Sequence, residues 1–391
     1  MNYISAKAAA EEWGLSVRRV QQYCKDGLIP GAARLDSAWM IPAGTARPQR
    51  AAPRHDASAV LRPENLMPLL SSSFAPGEHR ACIEAMSDPD RRGIAWAEYY
   101  YFSGQAELAV RQAEPYLSHA DLALALSAGL ICGFASLSLN RISAAQSSLN
   151  YVRDSLLRAR PDDAQVMAVC GLMSAASSIL LHLPLAAPIR VEEVLTALPE
   201  GLQGWACYLR AHRVYLDGDY GRSLGVAETA LNVQRGLHPI SSVYLHLVAA
   251  MDLMSLMRPE EAQSHFMAAW DMARPDGLIE AFGEHHGLLQ GLIEVCLKRD
   301  DPEAYQQVIA ITYRFSAGWR KIHNPAVGEE VADDLTTVEF TIAMLASRGW
   351  TNQEIARHME LSPHTVKHYI SSVYLKLGIS SRSQLKKYML R

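Results

Sequence analysis

Paired cysteines, metal-binding triads and nucleotide loops are all missing from this chain of 391 residues. Its six cysteines, at 24, 82, 132, 170, 207 and 296, form no C-x-x-C pair, so neither a zinc ribbon nor a dithiol redox site is spelled and reduced, mostly buried thiols are expected. Glu284, His285 and His286 are adjacent, and on a helix such neighbours diverge where an i, i+4 pair would converge on an ion. Asp300 and Asp301 read as a helix cap. The absence of a G-x-x-x-x-G-K-[ST] loop argues against an ATP-driven switch, and no βαβ alternation suggests a phospho-receiver. At the amino terminus Glu11 and Glu12 interrupt any apolar run of the signal-peptide kind. The stretch Ala164 to Ile189 has 26 residues without Asp, Glu, Lys or Arg, yet its serines, Gln165, His182, Pro184 and Pro188 suit a buried helix better than a membrane span. These absences predict a cytoplasmic protein that contacts no membrane, holds no metal or cofactor and is not an enzyme.

Charge is spread unevenly. Residues 1–50 carry a net +3 and residues 335–391 a net +5, whereas residues 51–334 carry −12. Only the ends suit a polyanion; the middle would repel one. The split predicts domains at 1–42, 64–322 and 335–391, separated by a Pro/Ala/Arg-rich linker at 43–63 and a shorter one at 323–334.

The carboxy-terminal segment is the best punctuated. Thr336 and Glu339, Thr351 and Glu354, and Ser381 and Gln384 each have the S/T-x-x-E/Q spacing of a capping box. Ser362 followed by Pro363 marks a further start, and Gly349 and Gly378 stand where left-handed residues end helices. Helices are therefore expected near 337–348, 352–359, 363–377 and 382–389, the middle two joined by the short turn of a helix-turn-helix. In 363–377 the residues Val366, Ile370, Val373 and Leu377 form a buried stripe, while His364, Thr365, Lys367, His368, Ser371 and Lys376 occupy the other face. Lysines there can neutralise phosphates, and Thr, Ser and His can meet base edges.

The run Leu-Thr-Thr-Val-Glu, Thr-Asn-Gln-Glu-Ile-Ala, Leu-Ser-Pro-His-Thr-Val-Lys and Lys-Leu-Gly-Ile closely resembles the LuxR-type DNA-binding domain of bacterial transcription regulators. The resemblance implies that Thr365, Lys367 and His368 face double-stranded DNA, that Lys376 supports a backbone contact, and that the domain acts as a homodimer on two half-sites. Thr351 and Asn352 open the preceding helix, whose free N–H groups could anchor a phosphate. Tyr369 and Ser372 depart from the pattern, standing where His and Asn are usual.

At the other end, Ser5 and Ser16 are expected to cap helices ended by Gly14 and Gly27, and Ala33 to Ile41 to form a hairpin wing around Asp36-Ser37. The stretch from Gly14 to Pro30 resembles the MerR and excisionase type of winged helix, although Gln21 and Gln22 replace the Arg-Tyr common in MerR proteins and no long dimerising helix follows. By position Ser16, Arg18, Arg19 and Gln22 would open and line a reading helix, with Arg34 on the wing.

In the middle, a turn followed five residues later by a small side chain recurs at Ala109, Ala145, Ser223, Ala262 and Ala304, with room for a weaker unit near Ala186. About six helix pairs are expected, similar to degenerate tetratricopeptide repeats, whose stacking makes a concave interaction surface. The aromatic cluster Trp96, Tyr99, Tyr100, Tyr101 and Phe102 reads chiefly as core, with a ligand groove as the alternative.

The fold class expected is mainly α: a repeat solenoid between a winged helix-turn-helix and a four-helix LuxR-type head. Its function would be promoter binding controlled by a small-molecule or protein effector at the repeats. The alternative is a protein-interaction scaffold whose terminal modules bind protein or are vestigial.

Overall fold

The computed structural model describes residues 3–13, 16–25, 29, 32–35, 38–42, 45, 61–158, 164–179, 195–323 and 335–389. The chain divides into two compact units, Met1–Arg54 and His55–Arg391.

The first unit runs β1 (Tyr3–Ser5), α1 (Ala6–Trp13), α2 (Val17–Lys25), β2 (Ala33–Leu35) and β3 (Ala38–Pro42). Ser5 Oγ accepts from the Ala8 N–H at 3.2 Å and Ser16 Oγ from the Arg19 N–H at 3.4 Å, so both helices start on the expected caps. The wing strands pair antiparallel with Arg34 opposite Trp39. A third strand joins them: β1 pairs with β3, Tyr3 opposite Pro42, giving the order β1-β3-β2. Three residues are too few for a readable alternation, but Ile4 packs on a core built around fully buried Ala9, Val20 and Ile41. Cys24 is buried in that core, which raises its thiol pKa and makes it a packing residue. Gly14, Gly27 and the Asp36-Ser37 turn lie outside the described residues.

The second unit is helical. Its body comprises α3 (His79–Glu84), α4 (Pro89–Phe102), α5 (Ala106–Ala113), α6 (Leu122–Ser138), α7 (Ile142–Arg158), α8 (Ala164–Ile179), α9 (Glu200–Leu216), α10 (Tyr220–Gln234), α11 (Pro239–Ser255), α12 (Pro259–Ala273), α13 (Glu280–Glu284), α14 (Leu292–Leu297) and α15 (Pro302–His323). Successive helices pack in pairs, α4 on α5, α6 on α7, α9 on α10 and α11 on α12.

The turns inside these pairs share one geometry. Gly104, Asn140, Gly218 and Met257 are left-handed, with φ of 78°, 57°, 84° and 62°. The next residue's N–H reaches back five positions in each, Gln105 to Tyr100, Arg141 to Ser136, Asp219 to Val214 and Arg258 to Leu253. Five residues after each left-handed position lies Ala109, Ala145, Ser223 or Ala262, all fully buried. At so buried a position a larger side chain would hold the pair apart. Ser223 stays satisfied by donating to the Ala211 carbonyl at 2.8 Å. Ala304 departs from the pattern: it is only partly buried, and Asp301 caps its helix by accepting from the Ala304 N–H at 3.1 Å. Ala186 lies outside the described residues, as does the uncharged stretch beyond Ile179. Among the described residues no helix is long and apolar enough to cross a membrane.

Buried polar groups fasten the body together. Glu98, with no exposed surface, accepts from the Leu69 and Leu70 N–H groups at 3.0 and 2.9 Å. Tyr208 is bonded to His285 at 2.9 Å, which places that histidine in the core; among the described residues no cluster could hold a metal ion. The aromatic cluster splits. Tyr99 stacks on His79 with ring centroids 4.0 Å apart, whereas Tyr101 and Phe102 are buried inside the body.

Candidate nucleic-acid interface

The carboxy-terminal head contains α16 (Thr337–Ser347), α17 (Asn352–His358), α18 (Pro363–Leu377) and α19 (Lys386–Met389). Thr336 Oγ1 accepts from the Glu339 N–H at 3.3 Å while Glu339 Oε2 accepts from the Thr336 N–H at 2.8 Å. Thr351 and Glu354 exchange the same bonds at 3.2 and 2.6 Å. Both are capping boxes, each satisfying two orphan donors at a helix start. Ser362 Oγ accepts from the Thr365 N–H at 3.0 Å and so caps α18, which ends at left-handed Gly378 with φ 63°. Gly349, at φ 98°, follows the end of α16. The helix expected over 382–389 is instead a 3-10 turn, Arg382–Leu385, leading into α19, because the Gln384 N–H bonds the Ser381 carbonyl three residues back.

One face of α18 builds the core and the other stays open. Val366, Ile370, Val373 and Leu377 are buried, the expected stripe. His364, Lys367, His368 and Ser371 are exposed, and their spacing of three, one and three residues sets them on one helical face. Leu375, 85% exposed, prolongs that face. Thr365 is half-buried against the cap, its hydroxyl 2.8 Å from Ser362 Oγ.

Other expected contact residues have partners within the head. Lys376 Nζ donates to Glu339 Oε2 at 2.7 Å, and Ser372 Oγ donates to Glu339 Oε1 at 2.7 Å. Burial pushes the Glu339 carboxyl up, but Lys376, the Thr336 N–H and hydroxyl, and Ser372 outweigh it and hold the pKa at about 2. Asn352 Oδ1 accepts from Arg382 at 3.0 Å, and the same guanidinium donates to the Ala346 and Trp350 carbonyls. Arg382 thus pins the last turn to the ends of α16 and α17. Thr351 remains exposed at the start of α17.

The opposite side of the head is seated on the body. Arg348 donates to Tyr215 Oη at 2.8 Å and to Ser255 Oγ, with its guanidinium 5.7 and 5.6 Å from the Tyr215 and Tyr220 ring centroids. His358 Nε2 donates to the Gln290 carbonyl at 3.0 Å, and buried Met359 approaches Gly291 so closely that a Cβ there would lie 2.5 Å from its sulfur. Nothing in the sequence near Arg348 or His358 signals these partners, which stand 133 and 68 residues away.

In the first unit, Ser16, Arg18 and Arg19 are exposed at the start of α2 and Arg34 is exposed on β2. Gln22 belongs to α2, but its side chain lies outside the described residues.

A short capped helix, a tight turn and a second helix with one polar, open face define a helix-turn-helix. Residues 333–389 match the family described as bacterial regulatory proteins, luxR family, so the chain carries a LuxR-type helix-turn-helix domain. Proteins of Mycobacterium bovis and Mycobacterium tuberculosis whose names propose HTH-type transcriptional regulators are 26% identical over 281 residues, covering 64% of this chain and 29% of theirs. The DNA-binding transcriptional activator DevR/DosR of Mycobacterium tuberculosis is 39% identical over 64 residues, 16% of this chain and 30% of its own. The chain spans about 29% of the length of the first of these relatives. No solved structure matches the chain.

Proposed function

We propose that the protein is a DNA-binding transcription regulator: the head reads promoter DNA through α18, and the helical body senses an effector and controls that reading. The observation that carries this reading is the open face of α18, where His364, Lys367, His368 and Ser371 are exposed together on a helix whose other side is locked into the core. Lys367 supplies phosphate charge; the histidines and Ser371 supply donors and acceptors for groove edges. The capped start of α17, with exposed Thr351, supports a phosphate contact beside it. Seating of the head through Arg348 and His358 supports control by the body, because it leaves the reading face free while fixing where two heads of a homodimer would stand. Half-sites must match that separation, so a change in the body would be felt as a change in affinity.

Under the same reading the first unit is a second DNA-reading head of winged-helix type, supported by exposed Arg18, Arg19 and Arg34. The repeated turn geometry supports a tetratricopeptide-like body, and the uneven charge supports DNA contact at the ends alone.

Gel retardation of promoter fragments by the full chain tests this, with Lys367→Ala as comparison. Loss of one phosphate contact should weaken binding on every sequence and lower the salt slope by about one. Absence of any retarded fragment at low salt would leave the interaction-scaffold alternative in its place.

A further inference from the structure

The body encloses a cavity that the DNA-reading head does not use. The cavity volume is about 40 Å³, within about 570 Å³ of unfilled space when the open side is counted, and it lies between α4, α6, α8, α9 and α11. The walls are apolar and aromatic, among them Phe134, Met173 and Trp205. Among the described residues one ionisable carboxyl reaches this space, that of Glu284 at the end of α13. Its Oε2 accepts from Tyr244 Oη at 3.1 Å and its Oε1 accepts from Tyr101 Oη. Both tyrosines line the same space.

This lining selects by chemistry. Among the described residues no lysine or arginine lines the cavity, so an anion would meet Glu284 with no compensating charge from them. The two tyrosine hydroxyls are turned to Glu284 and are not free to hold a ligand carboxylate. A carboxylate has about four acceptor positions, and two donors leave room for another. Beside it stand Trp205 and Tyr244, ring centroids 4.8 Å apart and nearly perpendicular, which offer π faces to a cation. A sugar or polyol would lose its hydrogen bonds against the remaining walls.

We propose that this cavity is the effector site and that it binds a small apolar amine, the ammonium on Glu284 and the hydrocarbon frame against Trp205, Phe134 and Met173. The assignment rests on the reading of the body as a sensor and names the ligand class that reading leaves open. Burial raises the Glu284 carboxyl to about 7 even against the bonds from Tyr101 and Tyr244, so an incoming ammonium would draw it into the ionised form.

The test titrates the full chain with three probes of one frame, 2-phenylethylamine, propylbenzene and 3-phenylpropanoate, following tryptophan fluorescence and the thermal midpoint. The amine is expected to bind and raise the midpoint, and Glu284→Gln to weaken it about tenfold or more, the value of a charge-assisted hydrogen bond. Ala176→Leu, which fills the wall of the cavity, should remove amine binding while the far-UV circular dichroism stays that of the wild type. Equal or tighter binding of the anion or the hydrocarbon, unchanged amine affinity in Glu284→Gln, or binding of none of the three would overturn the proposal. DNA retardation is scored separately: retardation without amine binding defeats the cavity assignment alone, and amine binding without retardation defeats the regulator reading alone.

Discussion

Lys376 closes on Glu339 at 2.7 Å, tying the far half of α18 to the first turn of α16. Glu339 serves at once as N3 of a capping box and as acceptor for Ser372 and Lys376, so one buried carboxylate sets both the start of one helix and the placement of another. Glu339→Gln should destabilise the head by about 3 kcal/mol, taking about 1.36 kcal/mol for each unit between 4.5 and about 2. The sign follows from a depressed folded pKa: the contribution is whole above 4.5 and is lost as pH falls toward about 2. Acid unfolding of the head, followed by circular dichroism, should begin at higher pH in the variant. An unchanged acid midpoint would show that the carboxylate is not charged in the folded head.

Arg348 fixes the head to the body by two hydrogen bonds and two ring contacts. Arg348→Ala leaves the Tyr215 hydroxyl without its charged donor and should cost about 2–3 kcal/mol at this seat, more than an exposed ion pair contributes. Calorimetry should then resolve separate unfolding of head and body where the wild type unfolds them together. A single transition at the wild-type midpoint would mean that the seat is held elsewhere.

What could be read from the sequence was whatever depends on short range. Capping spacings located α16, α17 and α18 to within a residue, because Thr336–Glu339 and Thr351–Glu354 satisfy each other inside one turn. The period of Val366, Ile370, Val373 and Leu377 gave the buried side of α18 for the same reason. Partners across long separations were not legible: Glu339 was visible as a cap but not as the acceptor for Ser372 and Lys376, 33 and 37 residues later. Arg382 was invisible as the clamp on Asn352, since a lone arginine at the first position of a capped turn has no local signature. Glu284 was legible only as a poor metal ligand; its tyrosine partners come from α4 and α11, 183 and 40 residues distant.

Burial raises the carboxyls of Glu98, Asp252 and Glu280 to about 8, and lowers the imidazoles of His246 and His285 to about 4. Each raised carboxyl contributes stability that is whole below its unfolded pKa and lost as pH rises through about 8; each lowered histidine contributes stability that is whole above 6.5 and lost as pH falls toward 4. Between about pH 4.5 and 6.5 the two groups oppose one another, and above 6.5 the carboxyls act alone. The thermal midpoint should therefore fall gently up to about pH 6.5, three carboxyls outweighing two histidines, and fall more steeply from there to about pH 8. Asp252 is fully buried with only the Ser223 hydroxyl, among the described residues, to stabilise its charge, so Asp252→Asn should flatten that fall and add about 2 kcal/mol at pH 8.5. A midpoint that rises with pH across this window would contradict the assignment of neutral acids in the body.

The repeated turns give a test in which two substitutions move stability in opposite directions. Gly218 and Met257 hold the same left-handed place in two successive pairs, at φ of 84° and 62°. A Cβ at Gly218 would meet nothing within 4 Å, so Gly218→Ala isolates the backbone penalty and should cost about 1 kcal/mol. Met257 already bears that penalty, and its side chain is 44% exposed, so little packing would be lost with it. Met257→Gly should therefore be neutral or stabilising by up to about 1 kcal/mol, even though glycine loosens the unfolded chain. Urea midpoints of the two variants would separate on either side of the wild type. If both fell below it by the same amount, the Met257 side chain would have to contribute packing that outweighs its backbone strain, and the equivalence of the two turns would be one of path alone.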